Sequence, residues 1–315
     1  MAEFNYQNRR DFLRFVFGSA CLSAGFPMLS QIDFEKKGIT KITILYTNDV
    51  HSRIESFPIN DPKYPGLGGF APRAKLISQI RSEEKNVMLL DAGDVFQGTP
   101  YFNFYSGELE FKLMSSMGYD CMTLGNHDFD LGIDNIVKQM QHANFNIINC
   151  NYNFENTNLK NKIKPYRVII KDGIRIGILG VGIELSGLVP KNLFQETIHQ
   201  NPVEKANEIA RLLKHEEKCD FIICLSHLGY TSDNKKPNDQ LLASETENID
   251  IIIGGHTHTF LDQPVFFENK KHKKVMVTQV GWAGIWLGRI DVLINKNNFG
   301  ITTHASKNVI KNSRS

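Results

Sequence analysis

Cysteine is scarce in this sequence, with five residues in a chain of 315. Cys21 lies in the N-terminal segment, whereas Cys121, Cys219 and Cys224 lie in or beside apolar runs, where free thiols are usually buried. The spacing of the cysteines does not indicate a disulfide framework. The scarcity therefore argues against a disulfide-stabilised fold and against an all-cysteine metal site.

A large excess of charge and long apolar runs are also lacking. Lys and Arg number 36 against 34 Asp and Glu, so the net charge is only +2 and nucleic acid is not the default partner. The uncharged stretch at 15–30 is interrupted by Gly18, Gly25 and Pro27, and it is too short for a comfortable transmembrane helix. We therefore expect no nucleic-acid partner and no transmembrane helix.

The N-terminus is similar to a twin-arginine export signal. It reads NRRDFLR at 8–14, followed by the mildly apolar stretch 15–30. We expect 1–30 to be this signal, which places the protein in the periplasm or cell envelope. The alternative is an amphipathic segment without a targeting role. GSAC at 18–21 resembles a lipoprotein cleavage site only faintly, so lipidation is not predicted and the cleavage position stays open.

Five short polar clusters, rich in residue types that bind metals, each follow an apolar strand-like run. They are Asn48-Asp49-Val50-His51 after ITILYT, Gly93-Asp94 after NVMLLDA, Gly125-Asn126-His127-Asp128 after CMTL, His227 after FIICLS, and Gly254-Gly255-His256-Thr257-His258 after IDIII. In open α/β folds, ligand and catalytic residues collect at the C-terminal ends of strands. Five such ends carrying Asp, His and Asn indicate a metal site.

The ligand types and their number favour two ions. In an extended segment, residues i and i+2 project to the same side, so each of the pairs Asp49/His51 and His256/His258 is expected to reach one cavity together. Carboxylate and imidazole without thiolate suit Mn, Zn or Fe(II). The candidate ligands are Asp49, His51, Asp94, Asn126, His227, His256 and His258. Seven are too many for one tetrahedral ion, whereas two ions bridged by a carboxylate fit, as in in-line attack at phosphorus.

Taken in order, D-x-H, G-D-x-x-x-G, G-N-H-[DE], an isolated H after a strand, and G-H-x-H resemble the calcineurin-like metallophosphatase pattern. TNDVHS at 47–52, GDVFQGTP at 93–100 and GNHDFD at 125–130 are similar to the catalytic domain of the 5′-nucleotidase and 2′,3′-cyclic phosphodiesterase branch. The resemblance covers about residues 40–295. It implies a hydrolase of phosphate esters, foremost nucleoside monophosphates, with in-line attack by a hydroxide held between two divalent ions, Mn or Zn first and Fe also compatible.

The resemblance also implies a role for each motif residue. One ion would be bound by Asp49, His51 and His258, the other by Asn126, His227 and His256, with Asp94 bridging them. His127 would face the phosphate together with Asn126, and it would stabilise the transition state or protonate the leaving oxygen. Asp130 would hold His127 in the required tautomer. Asp128 stands where many relatives have Glu, and since that position is not a ligand, we expect the difference to leave the chemistry unchanged.

Strand-like and helix-like segments alternate between the clusters. Helical spacing of apolar residues predicts helices at 69–81, 108–117, 134–141 and 203–218, and a hairpin over 167–182 turns at Asp172-Gly173. Because all clusters must meet in one cavity, one α/β domain should occupy 39–300. The resemblance implies that this domain is a four-layer α/β/β/α sandwich with two mixed sheets, the metallo-dependent phosphatase fold. Residues 301–315 are expected to be a polar tail.

In the nucleotidases that this domain resembles, a second domain follows and recognises the nucleoside. The last predicted strand ends near 295, and about 20 residues are too few for a domain, so no C-terminal cap is expected. Either a separate chain supplies a cap or the site is open and broadly selective. Three functions stay open: a nucleotide phosphomonoesterase, a phosphodiesterase acting for instance on 2′,3′-cyclic nucleotides, and a non-catalytic binding module. A sulfur-ester hydrolase is a more distant possibility.

Overall fold

The computed structural model describes residues 38–232, 236–296 and 300–312, so the expected export signal at 1–30 lies outside the described residues. The strands are β1 Ile39–Thr47, β2 Val87–Asp91, β3 Cys121–Met122, β4 Asn146–Ile147, β5 Tyr152–Asn153, β6 Tyr166–Lys171, β7 Ile174–Gly182, β8 Ile198–His199, β9 Phe221–His227, β10 Ile251–Gly254, β11 Val265–Glu268, β12 Lys274–Thr278, β13 Trp286–Asn295 and β14 Ile301–Val309. The α-helices are α1 Phe70–Glu83, α2 Pro100–Tyr105, α3 Glu108–Met117, α4 Gly132–Gln139, α5 Lys191–Phe194, α6 Pro202–His215 and α7 Asp239–Glu245.

Two six-stranded mixed sheets form the centre of the fold. The first has the order β14-β13-β1-β2-β3-β4. In it β1 to β4 are parallel, β13 is antiparallel to β1, and β14 is antiparallel to β13. The second has the order β11-β12-β10-β9-β7-β6, with a parallel centre and an antiparallel strand at each edge. The parallel strands of each sheet therefore all have their C-terminal ends on the same side of that sheet, at the ends of the strands.

The alternation of side chains along the strands builds the layers. Ile44 of β1 and Ile223 of β9 belong to one buried cluster that fills the space between the two sheets. Leu45 points to the opposite face of its sheet and packs with residues of α1, α3 and α4, whereas Ile222 packs with α6 and α7. Helices thus cover the outer face of each sheet, which confirms the four-layer α/β/β/α sandwich.

The helices lie close to their predicted positions. α3 spans the predicted 108–117, and α6 begins one residue before the prediction because Asn201 caps it, accepting hydrogen bonds from the N–H groups of Val203 and Glu204. In the three described ranges, no helix combines the length and the apolar character needed to span a bilayer.

The segment 301–312 differs from the expected polar tail. β14 pairs antiparallel with β13 over nine residue pairs, and Ile310 behind it is buried. An edge strand exposes one of its sides to solvent, so the polar sequence TTHASK carries little of the apolar alternation that marks strands. The polar tail is therefore a wrong prediction, and the domain continues beyond residue 300.

Candidate metal centre

Both sheets contribute to one cluster of polar side chains. In the first sheet, β1, β2 and β3 end shortly before Asp49, Asp94 and Asn126. In the second sheet, β9 ends on His227, and β10 ends two residues before His256. The five polar clusters that the sequence singles out therefore all follow the C-terminal ends of parallel strands in the two sheets.

The first ligand group consists of Asp49, His51 and His258. Their candidate ligand atoms all lie within 4.8 Å of one another. The Nε2 atoms of His51 and His258 are 3.0 Å apart, and Nε2 of His258 is 3.3 Å from Oδ1 of Asp49. Two imidazole nitrogens at this separation require a proton or a cation between them, because their lone pairs otherwise repel.

The second ligand group consists of Asp94, His227 and His256, whose candidate ligand atoms also lie within 4.8 Å of one another. Nε2 of His227 is 3.0 Å from Oδ2 of Asp94. Nδ1 of His256 is 2.9 Å from Oδ1 of Asn126, which places the amide oxygen of Asn126 with this group. The structure thus brings all seven predicted ligands into two groups.

The two groups adjoin through their carboxylates. Oδ2 of Asp94 lies 3.0 Å from Nε2 of His227 and 3.9 Å from Nε2 of His51 in the other group. Oδ1 of Asp49 lies 4.0 Å from Nε2 of both His51 and His227. Asp94 therefore faces both groups, as a bridging carboxylate must, and Asp49 also reaches the edge of the second.

The tautomer of His227 fits a cation. Its Nδ1 lies 2.7 Å from the carbonyl oxygen of Ala92 and can only donate there, so in the neutral ring Nε2 carries the lone pair. Nε2 is buried and lies 3.0 Å from Oδ2 of Asp94. A lone pair directed at a carboxylate is unfavourable unless a proton or a metal ion lies between them, and ligating histidines commonly donate their other nitrogen to a backbone carbonyl.

Electrostatics point the same way. Burial lowers the pKa of His227, but the charges of Asp94 and Asp49 outweigh it and raise the pKa to about 10. Burial raises the pKa of Asp94, but His227 and His51 outweigh it, so that pKa is lowered. Burial, assisted by His227, lowers the pKa of His256 to about 4. The carboxylates of the centre thus favour a positive charge beside them, which a proton on His227 supplies when no metal ion is bound.

The backbone at the ligands is left-handed rather than extended. The φ angle lies between 46° and 69° at Asp49, His51, Asp94, His256 and His258. A non-glycine residue in this region costs about 1–3 kcal/mol, a strain that concentrates at functional sites. His256 and His258 thus reach adjoining groups, the second and the first, from left-handed backbone and not from the extended segment that their spacing suggested.

Glycines and a buried carboxylate allow the loops to approach closely. A Cβ atom on Gly125 would lie 2.2 Å from Oδ1 of Asp94, which leaves no room for a side chain. Asp91 accepts a hydrogen bond from the N–H of Gly93 at 2.8 Å and belongs to neither ligand group. Asp91 therefore supports the turn after β2.

His127 belongs to neither ligand group but lies beside them. Its ring centroid is 5.3 Å from that of His51. Its main-chain N–H donates a hydrogen bond to Oδ1 of Asp94 at 2.8 Å. Its Nδ1 is 2.9 Å from Oδ2 of Asp130, a hydrogen bond that raises the pKa of His127. Since the side chain is 39% exposed, Nε2 remains available to a substrate.

Asp128 has a role that sequence reasoning did not assign. Its buried carboxylate accepts the N–H groups of Asp94 and Gly125 on Oδ2, and those of Val95 and Phe96 on Oδ1, at 2.9–3.2 Å. Asp128 therefore ties the loop after β2 to the loop after β3 and supports the backbone conformation of Asp94. Because all four donors belong to the main chain, no residue type in the sequence signals the network.

Asn48 is a second residue that the motifs did not single out as functional. Its Nδ2 donates at 2.6 Å both to Oδ2 of Asp49 and to the carbonyl oxygen of Gly281. Its Oδ1 accepts the N–H of Val280 at 3.0 Å. Asn48 thus orients the carboxylate of Asp49 and fastens it to the loop between β12 and β13.

A model of the calcineurin-like phosphoesterase family matches residues 42–260. The fold, the two ligand groups and this match agree, and the chain belongs to the calcineurin-like phosphoesterase family. The resemblance inferred from the five motifs is confirmed.

Named relatives narrow the similarity. The snake venom 5′-nucleotidase of Gloydius brevicauda is 33% identical over 286 residues, which cover 82% of this chain and 46% of that protein. The trifunctional nucleotide phosphoesterase protein YfkN of Bacillus subtilis is 29% identical and is aligned over 89% of this chain and 20% of its own length. The crystal structure of a 5′-nucleotidase precursor from Thermus thermophilus matches with a TM-score of 0.79 at 29% identity, covering 86% of this chain and 55% of that one. The chain therefore spans about half the length of the two 5′-nucleotidases.

Proposed function

We propose that this chain hydrolyses phosphate esters of nucleotides, with nucleoside 5′-monophosphates as the foremost substrates and two divalent ions as cofactors. The observation that carries the proposal is the arrangement of two adjoining ligand groups around Asp94, with His127 beside them. Membership of the phosphoesterase family supports ester hydrolysis at phosphorus, and the similarity to proteins named 5′-nucleotidase supports a nucleotide.

Bound ions would supply Lewis-acid stabilisation of the phosphoryl group and an activated water at neutral pH. Asp49, His51 and His258 would hold one ion, and Asn126, His227 and His256 the other, with Asp94 in contact with both. The mixture of carboxylate, amide and imidazole donors favours Mn or Zn and is also compatible with Fe.

His127 would act as the proton donor. Asp130 occupies Nδ1 and favours the protonated ring, so Nε2 can present a proton to the ester oxygen that leaves. The imidazolium would also offset negative charge that builds up on that oxygen in the transition state. Asn126, the preceding residue, keeps its amide oxygen on the second group and leaves its NH₂ for a phosphate oxygen.

A phosphodiesterase is the second candidate. It is favoured by the similarity to a protein named a trifunctional nucleotide phosphoesterase, because such a name covers more than one ester class. The same ligand groups would serve, and His127 would again protonate a leaving oxygen. A non-catalytic binding module is disfavoured by the two adjoining groups of candidate ligands and by the hydrogen bond between His127 and Asp130.

The test is a substrate panel with the purified chain, depleted of metal by chelation and then reloaded with Mn²⁺ or Zn²⁺. The panel contains AMP, other nucleoside monophosphates, an aryl phosphate and 2′,3′-cyclic AMP. We expect metal-dependent release of phosphate from AMP, abolished in Asp94→Asn and retained in Asp172→Asn, an equivalent change at the distant β6–β7 turn. A protein that binds two ions and hydrolyses none of these esters would refute the proposal.

Two finer parts of the proposal have their own tests. If a separate chain supplies a nucleoside-binding cap, the purified chain should hydrolyse AMP, other nucleoside monophosphates and aryl phosphates with similar, modest kcat/KM, because little binding energy comes from the nucleoside. A strong, saturable preference for one nucleotide would contradict a separate cap. Export through 1–30 predicts that the double substitution of Arg9 and Arg10 by Lys retains the protein in the cytoplasm, as fractionation would show.

A further inference from the structure

His258 is held differently from other histidines of the centre. Nδ1 of His227 lies 2.7 Å from the carbonyl oxygen of Ala92, and Nδ1 of His51 lies 3.3 Å from that of Phe96. Among the residues that the structure describes, none forms a hydrogen bond with Nδ1 of His258. Its side chain is 40% exposed, so burial does not fix the ring either.

An aromatic stack takes the place of that hydrogen bond. The imidazole of His258 lies over the indole of Trp282, with the ring centroids 5.6 Å apart and the planes inclined by only 5°. The face of an indole carries negative potential, so it favours an imidazole that is positively charged or bound to a cation. The stack also limits rotation of the imidazole and so keeps Nε2 directed at Asp49, 3.3 Å away.

The loop that carries Trp282 is fastened to the loop that carries Asp49. The N–H of Ala283 donates to the carbonyl oxygen of Asp49 at 2.7 Å. On the other side of Trp282, the carbonyl oxygen of Gly281 accepts from Nδ2 of Asn48 at 2.6 Å. Both neighbours of Trp282 are therefore held to the segment that supplies another ligand of the first group.

Two further rings support the indole. Phe57 meets Trp282 edge-on at 5.9 Å between centroids, and Tyr64 does so at 6.1 Å. Phe57 is itself buried in the same small apolar cluster as Ala283. Trp282 is thus wedged between these rings and His258, which makes it a firm support for the imidazole.

We propose that Trp282 is a positioning residue for the ion of the first ligand group, and that its indole holds His258 in the ligating orientation. The proposal rests on the two-ion centre proposed above. It assigns Trp282 to one ion only, because the second group has its own hydrogen-bonded support and does not contact the indole. Removing the indole should therefore lower the affinity for the ion of the first group and leave the affinity for the other ion unchanged.

The binding experiment compares Trp282→Leu with Trp282→Phe, which keeps a flat ring, and with Trp286→Leu. Trp286 is the matched control, because it packs against Phe260 at 4.6 Å and contacts no ligand residue. Calorimetric titration of the metal-free proteins with Mn²⁺, with elemental analysis of bound metal, should show one affinity reduced roughly 10–100-fold in Trp282→Leu, the range for residues that orient metal ligands. We expect a smaller loss in Trp282→Phe and none in Trp286→Leu. Unchanged affinities for both ions in a folded Trp282→Leu protein would overturn the proposal.

Fluorescence provides a readout in proteins whose ligands are intact. The chain has two tryptophans, so Trp286→Phe leaves Trp282 as the sole indole and Trp282→Phe leaves Trp286. Binding of paramagnetic Mn²⁺ should quench the emission of Trp282 and leave that of Trp286 nearly unchanged. Two bound ions without quenching of Trp282 would contradict the stack on a ligating His258.

These outcomes are distinct from failure of the proposed function. A chain that binds two ions, shows the unequal loss in Trp282→Leu and hydrolyses no ester would refute the function and leave the role of Trp282 standing. If the wild-type chain hydrolyses the esters and Trp282→Leu binds both ions with unchanged affinity, the proposed function stands and the role of Trp282 is refuted.

Discussion

Replacing Asp128 by Asn would test the backbone network beneath the metal centre. The carboxylate of Asp128 accepts four main-chain N–H groups, two on each oxygen. An amide offers one acceptor oxygen and one NH₂ donor, so two of the four N–H groups would face another donor. The substitution therefore removes about half of the hydrogen bonds that join the loops after β2 and β3.

The expected loss of stability follows from that count. Two hydrogen bonds to a charged acceptor, at about 1.5–3 kcal/mol each, amount to roughly 3–6 kcal/mol. Part is offset, because burial and the charge of Asp94 raise the pKa of Asp128 to about 7, which shows that the ionised carboxyl is costly to bury. A neutral amide avoids this cost, so we expect the free energy of unfolding to fall by about 2–4 kcal/mol.

Urea unfolding of the metal-free protein would measure this difference. The matched control is Asp250→Asn, because the carboxylate of Asp250 accepts only one main-chain N–H, that of Ile222 at 2.8 Å. We expect the control to lose about 1 kcal/mol or less. Equal losses in the two variants would refute the network as the reason for the cost. Asp128→Asn should also weaken metal binding, since it frees the loop that carries Asp94.

Other predictions concern the ions, the acid and the last strand. Asp94→Asn should lower the affinity for both ions and reduce activity more than Asn126→Ala; elemental analysis showing unchanged metal content would exclude a bridging role. His127→Ala should lower kcat on the order of 10²–10⁴-fold with two ions still bound, and less for an aryl phosphate, whose leaving group needs no proton; loss of an ion would instead make it a ligand. Chelation should lower the melting temperature, because each ion present at about 1,000 times its Kd adds roughly 4 kcal/mol; an unchanged melting curve would contradict ligation in the folded state. Ile310→Asp should destabilise the domain by roughly 2–5 kcal/mol in denaturant unfolding, because it buries a charge; a surface-like effect below about 0.5 kcal/mol would show that Ile310 is not packed.

The sequence predicted most of the fold because its strands are short, continuous apolar runs that end in glycine-rich polar clusters. That pattern marks buried parallel strands and also locates the ligands, since such strands present their C-terminal ends to a site. β14 was not predicted, because it is an edge strand with a mostly polar sequence and lacks a continuous apolar run. Its pairing with β13 in the structure identifies it as a strand.

Details of the centre could not be predicted from residue types. The resemblance implied the separation of His256 and His258 into two groups, but the left-handed backbone at both residues could not be read from their spacing, because spacing along the chain does not encode φ. The four N–H groups on Asp128 are main-chain donors, which every residue except proline possesses. The stack of Trp282 on His258 joins positions that only the loops bring together.

The pairing of β1 with β13 determines how late in synthesis the first sheet can form completely. β1 is the first of the described strands to leave the ribosome, yet one of its two neighbours is made roughly 250 residues later. At 5–20 residues per second, the delay is on the order of 10–50 s, during which one edge of β1 has no native partner. Each ligand group likewise joins carboxylates from the first hundred residues to histidines made after residue 226. A nascent chain therefore cannot complete either ligand group until the histidines beyond residue 226 have been made.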